Sequence, residues 1–157
     1  MASAQPISRE RSTREPLDCR IPVDSQYFDD ARFAPLPSVG GTAVLARIEL
    51  PPQYCGVLEY FSQFTDAFSS NSAAVETPDL VWQILANRQP VSPYHQMTTI
   101  LNPWGFGSFQ FALRMPEGAI VEMLLRRIGN AAPVTRVGGR LVGRYWYNAA
   151  YGGPRSP

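Results

Sequence analysis

The chain of 157 residues has no lysine: all 14 of its basic residues are arginine. A GC-rich genome produces that bias. So does a need for planar guanidinium groups, which form buried or interfacial ion pairs better than an ammonium does. Cysteine is scarce. Cys19 and Cys55 lie far apart without CxxC or CxxH spacing, which excludes a familiar zinc signature and a disulfide framework and leaves only a single bridge between them open. Histidine occurs once, as His95. No run of about eighteen apolar residues is present to span a membrane as a helix. The first thirty residues show no apolar core of a secretory signal, and no Asn-x-Ser/Thr site occurs, so synthesis in a cytoplasm is the expectation. The formal charge of +1 does not supply the basic surface that nucleic-acid binding needs.

What is present divides by composition. Residues 1–40 carry Pro6, Pro16, Pro22, Pro35 and Pro37, charges of both signs and few aliphatics. Such a segment cannot bury enough apolar surface to fold alone and is expected to be an extended N-terminal arm, held down by Tyr27, Phe28 and Phe33. Residues 41–150 read as one domain, and 151–157 as an irregular C-terminal tail.

Within the domain the signals are those of strands. Val44, Ala46, Ile48 and Leu50 alternate with Leu45, Arg47 and Glu49 until Pro51-Pro52, the period of two expected of a half-buried strand. Residues 57–68 and 80–87 also read as strands, the second with Trp82 and Ile84 inward. Each has a helical alternative, from the four-residue spacing of Tyr60, Phe64 and Phe68 and from the helix-start pattern Thr77-Pro78-Asp79. Residues 106–130 read as a hairpin of two long strands about Met115-Pro116-Glu117-Gly118. Its first strand alternates Phe109, Phe111 and Leu113 with Gln110, Ala112 and Arg114. Its second places Val121, Met123 and Leu125 on one face and Ile120, Leu124, Glu122 and Arg126 on the other. A helix over 119–128 competes through Ile120, Leu124 and Ile128. The apolar residues on both faces imply that the arm or a neighbouring subunit covers the second one. The last strand, within 134–148, has Gly138-Gly139 as an expected bulge.

No catalytic motif is apparent. His95 sits in a proline-rich loop with no neighbouring acid and reads as structural. Glu117 and Glu122 evoke a hydrolytic carboxylate pair, but a turn position explains Glu117. Gly105-Phe106-Gly107 lacks the strand-to-helix setting of a phosphate loop. The aromatic set Trp104, Tyr145, Trp146, Tyr147 and Tyr151 would suit a sugar-stacking platform. The interleaved Arg140 and Arg144 favour a protein interface, where Trp, Tyr and Arg dominate.

Taken together, Val81-Trp82-Gln83-Ile84 with its proline-rich sequel, Pro116-Glu117-Gly118-Ala119-Ile120-Val121, and Gly139-Arg140-Leu141-Val142-Gly143-Arg144-Tyr145-Trp146 resemble short patterns of small accessory proteins of tailed-phage particles. Those are capsid cement or decoration proteins and collar or head-spike components, and the likeness spans about residues 42–148. The resemblance implies an all-β, jelly-roll-like antiparallel sandwich, homo-oligomer contacts, contacts with major capsid or portal and neck proteins, and no catalytic residue or cofactor. It implies location in the virion, assembled in the host cytoplasm, with no nucleic-acid or membrane partner. The interface candidates are Tyr27, Phe28, Phe33, Trp104, Ile120, Leu124, Arg126, Arg140, Arg144, Trp146 and Tyr151. A carbohydrate- or receptor-binding sandwich is the alternative.

Overall fold

A computed structural model describes residues 21–67, 74–76, 79–101 and 109–147. Every regular element among them is a strand: β1 (Gln26–Pro35), β2 (Thr42–Glu49), β3 (Tyr54–Thr65), β4 (Ala74–Glu76), β5 (Leu80–Ala86), β6 (Gln89–Pro90), β7 (Thr99–Leu101), β8 (Phe109–Met115), β9 (Ile120–Arg127) and β10 (Arg136–Tyr147). The helical alternatives for 57–68, 80–87 and 119–128 are not adopted where those ranges are described.

Two four-stranded antiparallel sheets have the orders β1-β10-β3-β8 and β2-β9-β5-β6, and β4 pairs with β7 alone. Setting that small pair aside, each connection but one carries the chain from one four-stranded sheet to the other. First pairs with last, β2 with β9, β3 with β8, and β5 with β6. This is a jelly roll, the sandwich built from eight strands in two Greek keys. The exception is the tight β5–β6 turn, where Asn87 and Arg88 both have positive φ, as a two-residue hairpin of this hand requires.

The expected hairpin over 106–130 is corrected by this topology. Strands β8 and β9 belong to different sheets, and the residues between them form an arch across the edge of the sandwich. The turn also sits one residue later than expected: Ala119 N–H donates to the Pro116 carbonyl at 3.0 Å, with Gly118 at φ +65°. Positive φ at the third turn position is what a type II turn asks of glycine. Sequence alternation is the same for a hairpin and an arch, because both put every second side chain into the core.

The core fills the space between the sheets. Leu58, Phe61, Met115, Val137 and Leu141 meet Leu45, Leu80, Trp82, Ile84, Val121, Met123 and Leu125, all essentially fully buried. Trp82 Nε1 donates across the layer to the Gly138 carbonyl at 3.2 Å, so the largest core side chain leaves no buried donor unpaired. Gly138-Gly139 is not a bulge. The ladder runs through it unbroken, and the irregularity falls where Val142 and Gly143 pair with Tyr60 and Leu58, leaving Glu59 as the extra residue. Glycine at 138 is needed for room: a β-carbon there would fall within the Phe64 ring.

Within the segment expected to be an extended arm, residues 26–35 form a strand. Strand β1 is an edge member of a sheet, in register with β10 from Gln26 opposite Tyr145 to Pro35 opposite Arg136. A composition break is blind to a partner more than a hundred residues away.

The two faces of β9 give the first expected outcome. Leu125 is buried between the sheets and Leu124 lies half-buried on the outside. Leu125→Ala should lower unfolding stability by about 2–5 kcal/mol, as core truncations do, and Leu124→Ala by well under half of that. Urea denaturation midpoints read both; equal losses would mean the face assignment is reversed.

Candidate interaction surface

The outer face of the β1-β10-β3-β8 sheet concentrates the aromatic and arginine residues. Strand pairing sets Phe33, Gly138 and Phe64 in one row, Ala31, Arg140 and Ser62 in the next, then Asp29, Val142 and Tyr60, then Tyr27, Arg144 and Val57. Tyr27 is 71% exposed, Phe33 51% and Tyr60 39%, well above what a face shielded by its own chain would show.

Charge on this face is organised within the chain. The Arg140 guanidinium grips the Asp29 carboxylate through Nε at 2.8 Å and Nη2 at 2.5 Å, a fork matched to the two oxygens. Arg144 grips Glu59, with Nη2 at 2.6 Å, and lies 5.3 Å from the Tyr27 ring centroid. Arg136 sits 5.2 Å over Phe33, which meets Phe64 edge-on at 4.6 Å. Such cation–π geometry is favourable at exposed sites. Hydrogen bonds from Arg140 hold the Asp29 carboxyl below its ordinary value and raise Arg140 in turn; those that Arg144 donates to Glu59 raise Arg144. Cys55, beside Trp146 in the register, is a free thiol pushed up by burial. Cys19 lies outside the described residues.

The sequence candidates do not converge on one surface. Tyr27, Phe33, Arg140, Arg144 and Trp146 share the face just described. Phe28 points the other way and packs against the core. Ile120, Leu124 and Arg126 belong to the outer face of the opposite sheet, with Val44 and Val81 beside them in the register. That face is not covered by β1, which lies in the other sheet; of the two covers expected, the arm or a neighbouring subunit, residues 26–35 of the arm do not supply one. Trp104 and Tyr151 are outside the described residues. Sequence reading missed Asp29 and Glu59, the two carboxylates that fix the arginines, and also Phe64 and Arg136. Only the strand register brings these partners together, and local spacing carries no trace of it.

Of the aromatic set that would suit a sugar platform, Tyr145, Trp146 and Tyr147 are described. Tyr145 packs against the core, and Tyr54 meets Tyr145 and Tyr147 at interplanar angles of 57° and 81°, rings leaning on each other rather than lying in one plane. His95 serves through its backbone: its carbonyl accepts from Gln83 Nε2 at 2.8 Å. Glu117 accepts from the Gln53 backbone N–H, tying two turns together, and Glu122 faces Arg47 at 3.5 Å. Among the described residues no group of three His, Cys, Asp or Glu is placed to hold a metal ion. No helix among them is long and apolar enough to cross a membrane.

No protein-family model matches the chain, and no curated protein matches it.

The lowered Asp29 carboxyl sets a pH dependence. The unfolded chain takes up this proton more readily than the folded one, so the stability it lends is complete above the ordinary value of 3.8 and is lost as pH falls below it. For a pair this exposed the contribution is about 0.2–1 kcal/mol. Asp29→Asn should cost that much at pH 7 and almost nothing near pH 2, by urea melts at both. An equal cost at both would show that the carboxylate charge is not what matters.

Proposed function

We infer that this protein is a non-enzymatic structural component of a bacteriophage particle, a cement or decoration protein of the head or a part of the neck or collar. The observation that carries the reading is the outer face of the β1-β10-β3-β8 sheet, where exposed Tyr27, Phe33 and Tyr60 stand among arginines already fixed by Asp29 and Glu59. Exposed aromatics with immobilised guanidinium groups are the composition of interface hot spots. Because the arginines are oriented beforehand, less side-chain entropy is lost when a partner arrives.

The assignment to a phage particle comes from the sequence resemblance. The fold is compatible with it but does not choose, since jelly rolls serve in viral capsids and in lectins alike. Adhesion through this face would reinforce a shell by binding only its assembled form. Homo-oligomer contacts and contacts with capsid, portal or neck proteins follow from the same reading, as does a place in the virion.

Particles from cells expressing a tagged copy should retain the protein through density-gradient sedimentation. Tyr27, Phe33 and Tyr60 should then be shielded from hydroxyl-radical labelling there and labelled in the free protein. A protein left wholly in the unsedimented fraction, and retained by immobilised glycans unless Trp146 is changed to Ala, would replace the structural reading with the lectin one.

A further inference from the structure

Strand β1 is attached to the sandwich differently from every other long strand. Seven of its ten residues are exposed, and Phe28 and Ala34 alone pack against the core. What holds it is specific. A β-carbon at position 143 would collide with the Phe28 ring and the Val57 carbonyl, so glycine there opens the slot Phe28 fills. Asp29 is clasped by Arg140, and Asp30 accepts the Arg47 backbone N–H of β2 at 2.7 Å. Tyr145 and Gln26 are bonded at 2.6 Å, and Phe33 lies between Phe64 and Arg136. The groove between β10 and β2 is therefore a receptor whose preferred occupant is written into it: the sequence 26–35, in one register.

The link from β1 to β2 can open at one point. Leu36 N–H donates to the Thr135 carbonyl at 2.8 Å, and the Arg127 guanidinium reaches the Pro37 carbonyl at 3.0 Å; these bonds belong to whichever copy supplies β10 and would travel with the groove. Gly40 and Gly41 exchange backbone bonds with Arg127 on the β2 side. Between the two sets lies only the Ser38–Gly41 turn, closed by one hydrogen bond of 2.8 Å with Gly40 at φ +81° and Val39 exposed. Pro35 and Pro37 bias Ala34 and Leu36, which precede the turn, toward extended backbone, and so keep the segment leading into it straight in either form.

We propose that β1 is an exchangeable strand, which one copy of the chain inserts into the β10–β2 groove of a second copy. Closed monomer and exchanged pair make the same contacts everywhere except at the Ser38–Gly41 turn, so the balance is set by that turn and by how closely copies are crowded. This deepens the assembly reading, on which it rests for its choice of partner, by naming the segment that would lace copies together.

The test uses full-length chains with Cys19 and Cys55 replaced by serine. Ala31 and Arg140 are direct partners in the β1–β10 ladder, a spacing a disulfide can bridge. A chain carrying Ala31→Cys, mixed and concentrated with one carrying Arg140→Cys, should give disulfide-linked mixed dimers on oxidation, and the doubly substituted chain, kept dilute, an internal bridge. Deleting Val39 and Gly40 should convert monomer to dimer by light scattering. Unlinked chains in the mixture, alongside an internal bridge in the double variant, overturn the exchange. Association by light scattering in that case leaves the assembly reading standing. Failure of the double variant to bridge overturns the register on which the proposal depends, and a monomeric deletion variant overturns the hinge.

Discussion

Strand β10 is the constraint on which the rest depends. It lies between β1 and β3, and its residues from Val137 to Tyr145 are flanked on both sides. Its inward positions Val137 and Leu141 are fully buried, while its outward Arg140 and Arg144 carry the clasps to Asp29 and Glu59. Glycines at 138 and 143 make room for the Phe64 and Phe28 rings brought by the strands on either side. One strand thus closes the core on one face, builds the aromatic–arginine surface on the other, and defines the groove for β1. Any side chain at the slot glycines would act on all three at once.

Legibility of the fold in the sequence follows the range of the interactions. Local alternation marks the strand at 44–50 and, with helical alternatives open, those at 80–87 and 120–127, and it faces Trp82, Ile84, Val121, Met123 and Leu125 inward; it fails at Leu45, where a bulge puts Leu45 in the core and Val44 outside. The arch at Pro116–Ala119 reads as a hairpin in the sequence because both satisfy the same alternation; only the pairing of β8 with β3 and of β9 with β2 and β5 separates them. The same limit hid β1. Its polar, proline-flanked sequence reads as an anchored arm rather than a strand, and only the register shows Gly143, Arg140 and Arg144 set against it.

The surface was legible in its residue types and not in its arrangement. Arg140, Arg144, Tyr27 and Phe33 were singled out by composition, and they do share a face. Ile120 and Leu124 were grouped with them and lie on the opposite sheet, because apolar residues on both sides of a strand say nothing of which sheet the strand joins. That outer face of β9, with Val44 beside it, is a second apolar surface.

Amide hydrogen exchange of the isolated chain at neutral pH tests this account most directly. An appended first strand on an independently closed core predicts that the amides of β1 exchange by a local opening, while those of β3, β9 and β10 wait for global unfolding. Protection of Phe28 and Ala34 equal to that of Val121 and Met123, lost in one cooperative step with them, would contradict it.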